Sequence, residues 1–321
     1  MRHFRKITEM AVFPFKPDRK LTDVLRESPF TLSAEVIPPR NGSEQAKVLD
    51  QIQLLTQAGA QFLAVTKGAG GSLRGGSLPI AQAIKETFGV PCIAHFTCRD
   101  LTPFEVENQL VDHHYFGIRN ILALRGDPPE GVIEWKPREG GYNYAYELIG
   151  QISSMNRGDY IPRPGGPGRD GFERTDFCIG AALYPDFPDS EKRISYFEKK
   201  VLAGAQYGIT DMLFDPDVYA RFRDQCDRNG ITVPILPGTR ILKSRSQALK
   251  MAARFNVTIP ASLLSQLPEE PGPDSEERGI EVLLKLVSRL RELGAPGIHL
   301  FVISDAQAAV GALKLLAPLL G

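Results

Sequence analysis

Short apolar, β-branched runs recur along this chain, each followed by a helical pattern. The runs fall at 31–36, 62–66, 91–96, 120–124, 177–183, 208–214, 233–236 and 297–303. Helix-like segments lie between them at 45–60, 102–117, 190–204, 216–230, 243–256 and 276–294. Several of these end at glycines, and Thr102-Pro103 with Glu105 reads as a capping box. Strands that alternate with helices at this spacing run parallel, because a crossover helix returns the chain to the same end of the sheet. Eight such units in 321 residues predict one closed (β/α)8 TIM barrel rather than an open doubly wound sheet. The first run is not followed by Gly-x-Gly-x-x-Gly, which weakens a dinucleotide-binding open sheet further.

Polar residues gather where the runs stop: Glu35, Thr66 with Lys67, His95 with Thr97, Arg125 with Asp127, Tyr184 with Asp186, Asp211 with Asp215, Thr239 with Arg240, and Ser304 with Asp305. A barrel brings these ends to one face, where barrel enzymes bind ligands, and packing gives no reason to collect them there. The most telling stretch is Ile121-Leu122-Ala123-Leu124-Arg125-Gly126-Asp127-Pro128. It sets a cation, a flexible backbone and an anion at the carboxyl end of a buried strand. Burying charges costs free energy unless they are paired or meet a ligand, so the cluster is a candidate site. Glu35 stands amid Ala34, Val36 and Ile37, where a carboxyl has little structural excuse. His113 and His114, in a helical stretch, and His299, in the last strand, read as packing residues.

The 38 basic and 38 acidic side chains cancel, which argues against a nucleic-acid binder but permits a local basic pocket. No run of 18 apolar residues is present, so no membrane span is expected. The basic start of the chain lacks the apolar segment of a secretory signal. Cys92, Cys98, Cys178 and Cys226 show neither CxxC spacing nor a nearby His cluster, as expected of reduced thiols in a cytoplasmic protein without a metal site. Residues 1–30 read as an N-terminal extension with a short helix, and 31–321 as the barrel, which leaves no room for a regulatory domain. Within it, 153–176 reads as a Gly/Pro-rich inserted loop, mobile and on the amino-terminal face because it leads into a strand.

Several segments carry a family resemblance. They are Ser33-Ala34-Glu35-Val36-Ile37-Pro38-Pro39-Arg40, Ala64-Val65-Thr66-Lys67-Gly68-Ala69, Ala94-His95-Phe96-Thr97-Cys98 and Gly117-Ile118-Arg119-Asn120 running on to Pro129. Tyr144-Ala145, Tyr184-Pro185, Lys200-Val201-Leu202-Ala203-Gly204-Ala205 and Ile235-Leu236-Pro237-Gly238 follow. In this order, on successive strands, they resemble the methylenetetrahydrofolate reductase family over roughly residues 30–310. The resemblance implies a barrel holding FAD, with a nicotinamide as electron donor. It implies reduction of 5,10-methylenetetrahydrofolate to the 5-methyl product, in one-carbon metabolism that supplies methionine. The methylene bridge must open to an iminium before it accepts hydride, and the leaving nitrogen then needs a proton. Glu35 matches the family's acid, and an enclosed carboxyl there can keep its proton through a raised pKa. Asp127 matches the aspartate beside flavin and pterin, where its charge disfavours an anionic reduced flavin; the plainer alternative is an ion pair with Arg125. Thr66, Ala69, His95, Arg125, Gly126, Asp127, Tyr144, Ala145, Tyr184 and Lys200 fall on flavin-binding positions. Arg125 and Lys200 can neutralise the pyrophosphate, and Gly126 lets the backbone approach the isoalloxazine.

Departures from the family pattern lie mainly on the substrate side. Asp211 replaces a usual Gln, Arg245 a usual stacking aromatic, Phe301 a usual Tyr, Ser304-Asp305 a usual Asn-Arg, and Lys67 a usual Tyr. Asp186-Phe187-Pro188-Asp189 replaces a His-Pro-Glu stretch, and Arg193 stands where an aspartate usually meets the adenosine. Asp127, Asp211 and Arg245 are therefore the expected substrate contacts, with Asp211 an acceptor only when ionised. Small-molecule folate and nicotinamide are the expected partners. A different pterin, a flavin-holding subunit served by a redox partner protein, and a homo-oligomer stay open, as does NADH against NADPH.

Overall fold

The computed structural model describes residues 15–39, 42–68, 75–128, 132, 136–163, 173–302 and 306–320. The strands are β1 (Thr31–Val36), β2 (Phe62–Val65), β3 (Cys92–Thr97), β4 (Asn120–Leu124), β5 (Cys178–Leu183), β6 (Tyr207–Met212), β7 (Ile235–Thr239) and β8 (Gly297–Leu300). Each pairs in parallel with its neighbour in chain order, and β8 returns to β1, so the sheet closes. Nearly every strand residue is buried, because one face meets the barrel interior and the other the helices. That is why the strands read as continuous apolar runs and not as alternating ones.

The helices among the described residues are α1 (Leu21–Glu27), α2 (Gln45–Gln57), α3 (Ser77–Glu86), α4 (Pro103–Tyr115), α5 (Ala145–Arg157), α6 (Ser190–Leu202), α7 (Pro216–Arg228), α8 (Arg245–Phe255), α9 (Ala261–Leu264), α10 (Ser275–Glu292) and α11 (Ala306–Leu316). None is long and apolar enough to cross a membrane. The capping box of α4 forms as expected: Glu105 N donates to Thr102 Oγ1 while Thr102 N donates to the Glu105 carboxylate. Helices α3, α5, α9 and α11 go beyond the sequence pattern. Pro79 reads as a breaker but lies in the first turn of α3, where proline is tolerated.

One sequence boundary needs correction. Residues 153–157 are the last turn of α5 and not the start of the inserted loop; Gly158, at φ 86°, ends the helix. Asn156 then ties the helix end to β5, accepting from Thr175 Oγ1 at 2.7 Å and from Phe177 N at 2.9 Å. The connection starts at the amino-terminal face, where Ile161 N donates to the buried Glu107 carboxylate at 2.8 Å. Its centre, 164–172, lies outside the described residues.

Two apolar clusters build the molecule. The larger fills the space between strands and helices. The smaller fills the barrel with Phe62, Ala64, Ile93, Leu122, Cys178, Tyr207, Ile209 and Leu236, and Leu21, Val24 and Leu25 of α1 pack beneath them. Helix α1 is thus a plug in the barrel floor. A polar clamp holds it: Asp18 accepts from Cys92 N at 2.8 Å and from Asn120 Nδ2 at 3.2 Å, while Leu21 N donates to Asn120 Oδ1 at 2.7 Å. With the floor sealed, the opposite end, where the strands stop, is the face left for a ligand.

Candidate active site

Glu35 is the last inward-facing residue of β1, beneath that open face. Side chains alternate along a strand, so Ser33 points the same way one step lower and meets His299 Nδ1 at 2.9 Å. Glu35 is 7% exposed and His95, on β3, 8%. His95 Nε2 lies 3.6 Å from Glu35 Oε2, beyond hydrogen-bond range. Burial, helped by the nearby Asp211 charge, pushes the Glu35 carboxyl up to about 8. The same burial pulls the His95 imidazole down to about 4. Between those values Glu35 carries its proton and His95 is neutral, so the pair is an acid beside an imidazole and not a salt bridge.

A cavity of about 490 Å³ opens above them and runs outward over β4 and β5 to α5 and α6. Its wall brings together Glu35, Thr66, His95, Arg125, Gly126, Asp127, Tyr144, Ala145, Tyr184 and Lys200, all singled out in the sequence. Ala69, Ser304 and Asp305 lie outside the described residues. Arg125 and Asp127 are exposed at the mouth rather than buried, which corrects the expectation of a desolvated charge cluster. The turn between them is nonetheless tightly specified. Gly126 has φ +95°, and a Cβ there would sit 2.8 Å from Arg99 Cβ; Arg99 in turn donates to the Asp127 carbonyl.

Asp211 sits just beside this cavity, in an adjoining pocket of about 70 Å³ shared with Tyr184, Asp186 and Phe187. Its charge reaches both the Glu35 carboxyl and the Tyr184 phenol, so the three belong to one mouth. Arg245 does not join them. It opens α8 and is committed to Glu269 at 2.8 Å and to the Leu264 carbonyl at 3.3 Å, away from the cavity wall. His113 and His299 are buried packing residues, His113 edge-on to Phe96 and His299 edge-on to Phe301.

Lys200 lines the cavity, donates to the Ala182 carbonyl at 2.7 Å and lies 5.8 Å over the Tyr184 ring. Burial pulls its ammonium down to about 8, and no carboxylate among the described residues pairs with it. Lys67, also on the wall, is pulled to about 8 by burial and donates to Gln109 Oε1 at 2.6 Å. Three buried polar atoms on the wall have no partner among the described residues: Thr66 Oγ1, His95 Nε2 and Arg193 Nε. Desolvated groups of this kind are costly unless a ligand meets them. At the far end Tyr144 stacks on Tyr146 at 5.1 Å, with Tyr196 5.7 Å away. Tyr146 and Tyr196 were not read from the sequence. A signal was present, since Arg193, Tyr196 and Lys200 are spaced three and four apart on α6 and so share a face. The arrangement suits an elongated ligand with an anionic middle and flat aromatic ends.

The family model for methylenetetrahydrofolate reductase matches residues 20–316. Methylenetetrahydrofolate reductase (NADH) 1 of Arabidopsis thaliana is 29% identical over 92% of this chain, and 5,10-methylenetetrahydrofolate reductase of Escherichia coli is 31% identical over 86% of it. This chain spans about half, 49%, of the plant relative and 87% of the bacterial one. Among solved structures, an uncharacterized protein from Clostridium thermocellum that binds two copies of 5-methyl-5,6,7,8-tetrahydrofolic acid aligns with TM-score 0.56 at 15% identity. It covers 93% of this chain and 99% of its own, a likeness of fold.

Proposed function

The chain belongs to the methylenetetrahydrofolate reductase family, and from that premise we propose that it reduces 5,10-methylenetetrahydrofolate to 5-methyltetrahydrofolate with FAD and a nicotinamide donor. The observation that carries this reading is the buried Glu35, its carboxyl pushed up to about 8, on the wall of a cavity of about 490 Å³ that reaches Arg125, Lys200 and the tyrosine stack. FAD, when bound, supplies the hydride. Arg125 and Lys200 would hold its pyrophosphate, and the unpartnered Thr66 Oγ1 and His95 Nε2 would meet its polar ring edge. The tyrosine stack offers a surface for its adenine.

Substrate activation falls to this chain's own residues. Opening the methylene bridge leaves charge on a nitrogen, and Glu35 donates the proton that this nitrogen needs. Its proton is held at neutral pH by burial of the carboxyl and by the nearby Asp211 charge. Asp127 and Asp211 present acceptors to the donor-rich edge of a pterin. Arg245 would contact substrate only after leaving Glu269.

Anaerobic turnover of the FAD-loaded protein with methylenetetrahydrofolate and each nicotinamide tests the reading, with 5-methyltetrahydrofolate as the expected product. No product with NADH or NADPH, while a protein reductant drives the reaction, would favour a flavin-holding subunit. The cofactor arrangement has its own test. Lys200→Met removes a desolvated cation from the pyrophosphate position and should weaken FAD binding by roughly 10- to 100-fold, the worth of a charge-assisted hydrogen bond. Quenching of flavin fluorescence on titration measures it, and unchanged affinity would remove Lys200 from the site.

A further inference from the structure

We propose that Asp211 is a positioning residue for Glu35: its carboxylate, held beside the mouth at a bulge in β6, keeps the proton on Glu35 until a substrate takes it. The proposal rests on the acid role given to Glu35 above.

The bulge is explicit in the register. β6 pairs with β7 at Ile209 opposite Leu236 and next at Met212 opposite Gly238, so three steps on β6 match two on β7. An extra residue of this kind re-aims a side chain and is common beside active sites. Thr210 staples it: Gly238 N donates to Thr210 Oγ1 at 2.8 Å, and Thr210 Oγ1 donates to the Asp211 carbonyl at 2.7 Å. Met212 N donates to Asp211 Oδ1 at 2.7 Å, which fixes the carboxylate with a neutral donor. No salt bridge to Asp211 forms among the described residues.

Glu35 has the opposite environment. It accepts no hydrogen bond among the described residues. Sharing the cavity wall with it are Thr66 and Lys67 at the end of β2, His95 on β3, Arg125 and Asp127 after β4 and Tyr184 after β5, while the charge of Asp211 on β6 reaches it and Ser33, one step lower on its own strand, meets His299 on β8. Burial keeps His95 and His299 neutral, at about 4 and about 3. Two carboxyls that share one mouth do not both ionise readily. The one with a backbone donor and partial access to water gives up its proton first, and the one with neither retains it. Asp211 is the former, at about 6, and Glu35 the latter, at about 8. Between those two values the site holds one fixed anion and one proton ready for transfer.

Infrared titration of the protein reads this directly. The carbonyl stretch of a protonated carboxylic acid is followed against pH, and the part lost in Glu35→Gln belongs to Glu35. Asp211→Asn should lower the midpoint of that band by about one pH unit, as should Asp211→Gln, a second neutral variant should the first fold poorly. Asp211→Glu, which keeps the charge, should hold the midpoint near that of the parent protein. Equal midpoints with and without the Asp211 charge would overturn the proposal, as would a Glu35 band absent at neutral pH. A band that shifts in a protein unable to reduce methylenetetrahydrofolate would sink the functional reading and leave the Asp211 inference standing.

Discussion

Glu35→Gln is expected to bind FAD and to complete the nicotinamide half-reaction at the parent rate, yet to reduce methylenetetrahydrofolate about 10²- to 10⁴-fold more slowly. Glutamine has nearly the shape of a protonated glutamic acid, so the cavity should keep its form. The amide holds hydrogens but does not release one at neutral pH, so the leaving nitrogen goes without its proton. The nicotinamide step needs no acid at that point and serves as an internal control on folding and cofactor binding. Stopped-flow measurement of the two half-reactions separates them. Folate reduction at the parent rate would remove Glu35 from the chemistry.

A large loss of stability is expected at Gly180. This residue of β5 pairs with Tyr207 of β6, and a Cβ on it would lie 2.3 Å from Tyr207 Cζ and 2.6 Å from its hydroxyl. Tyr207 is fully buried in the barrel interior, its hydroxyl without a partner among the described residues, beside the side chains that α1 packs against. At those distances Gly180→Ala must displace the ring or part the strands. Overpacking of this kind costs about 1–3 kcal/mol, and the contact here is at the severe end. Chemical denaturation should show the loss as a lower midpoint with unchanged slope. Pairing Gly180→Ala with Tyr207→Leu should recover part of it, because the two residues occupy one space. An unchanged midpoint for Gly180→Ala alone would show that the barrel interior is looser than described.

Much of the architecture was legible because parallel strands buried on both faces must be apolar throughout. The bounds of β1 and β4 agree with the runs read from the sequence, and the others differ by one to three residues at an end. The missed helices have physical reasons. Pro79 in α3 and Gly150 with Ser153 and Ser154 in α5 depress helical signals that tertiary packing overrides. The mouth of the site was legible from strand ends, since closure of the barrel converts separate positions into one face. Solvation was not: Arg125 and Asp127 follow a buried strand but sit where the mouth meets water. Nor was the direction of Arg245, which depends on Glu269 from a distant part of the chain. The β6 bulge was hidden as well, because register belongs to a pair of strands and is not written in either one.

In the proposed reaction a buried, protonated Glu35 delivers the proton that lets a folate accept hydride in this cavity. A single-turnover experiment tests it most directly: protein carrying reduced FAD is mixed anaerobically with methylenetetrahydrofolate across a pH series. Burial raises the Glu35 pKa, so the acid is present below that value and lost above it. The reaction should be fast at neutral pH and fall about tenfold per pH unit above about 8, with the limb absent in Glu35→Gln. A rate that is flat through this range, or no reoxidation at any pH, would contradict it.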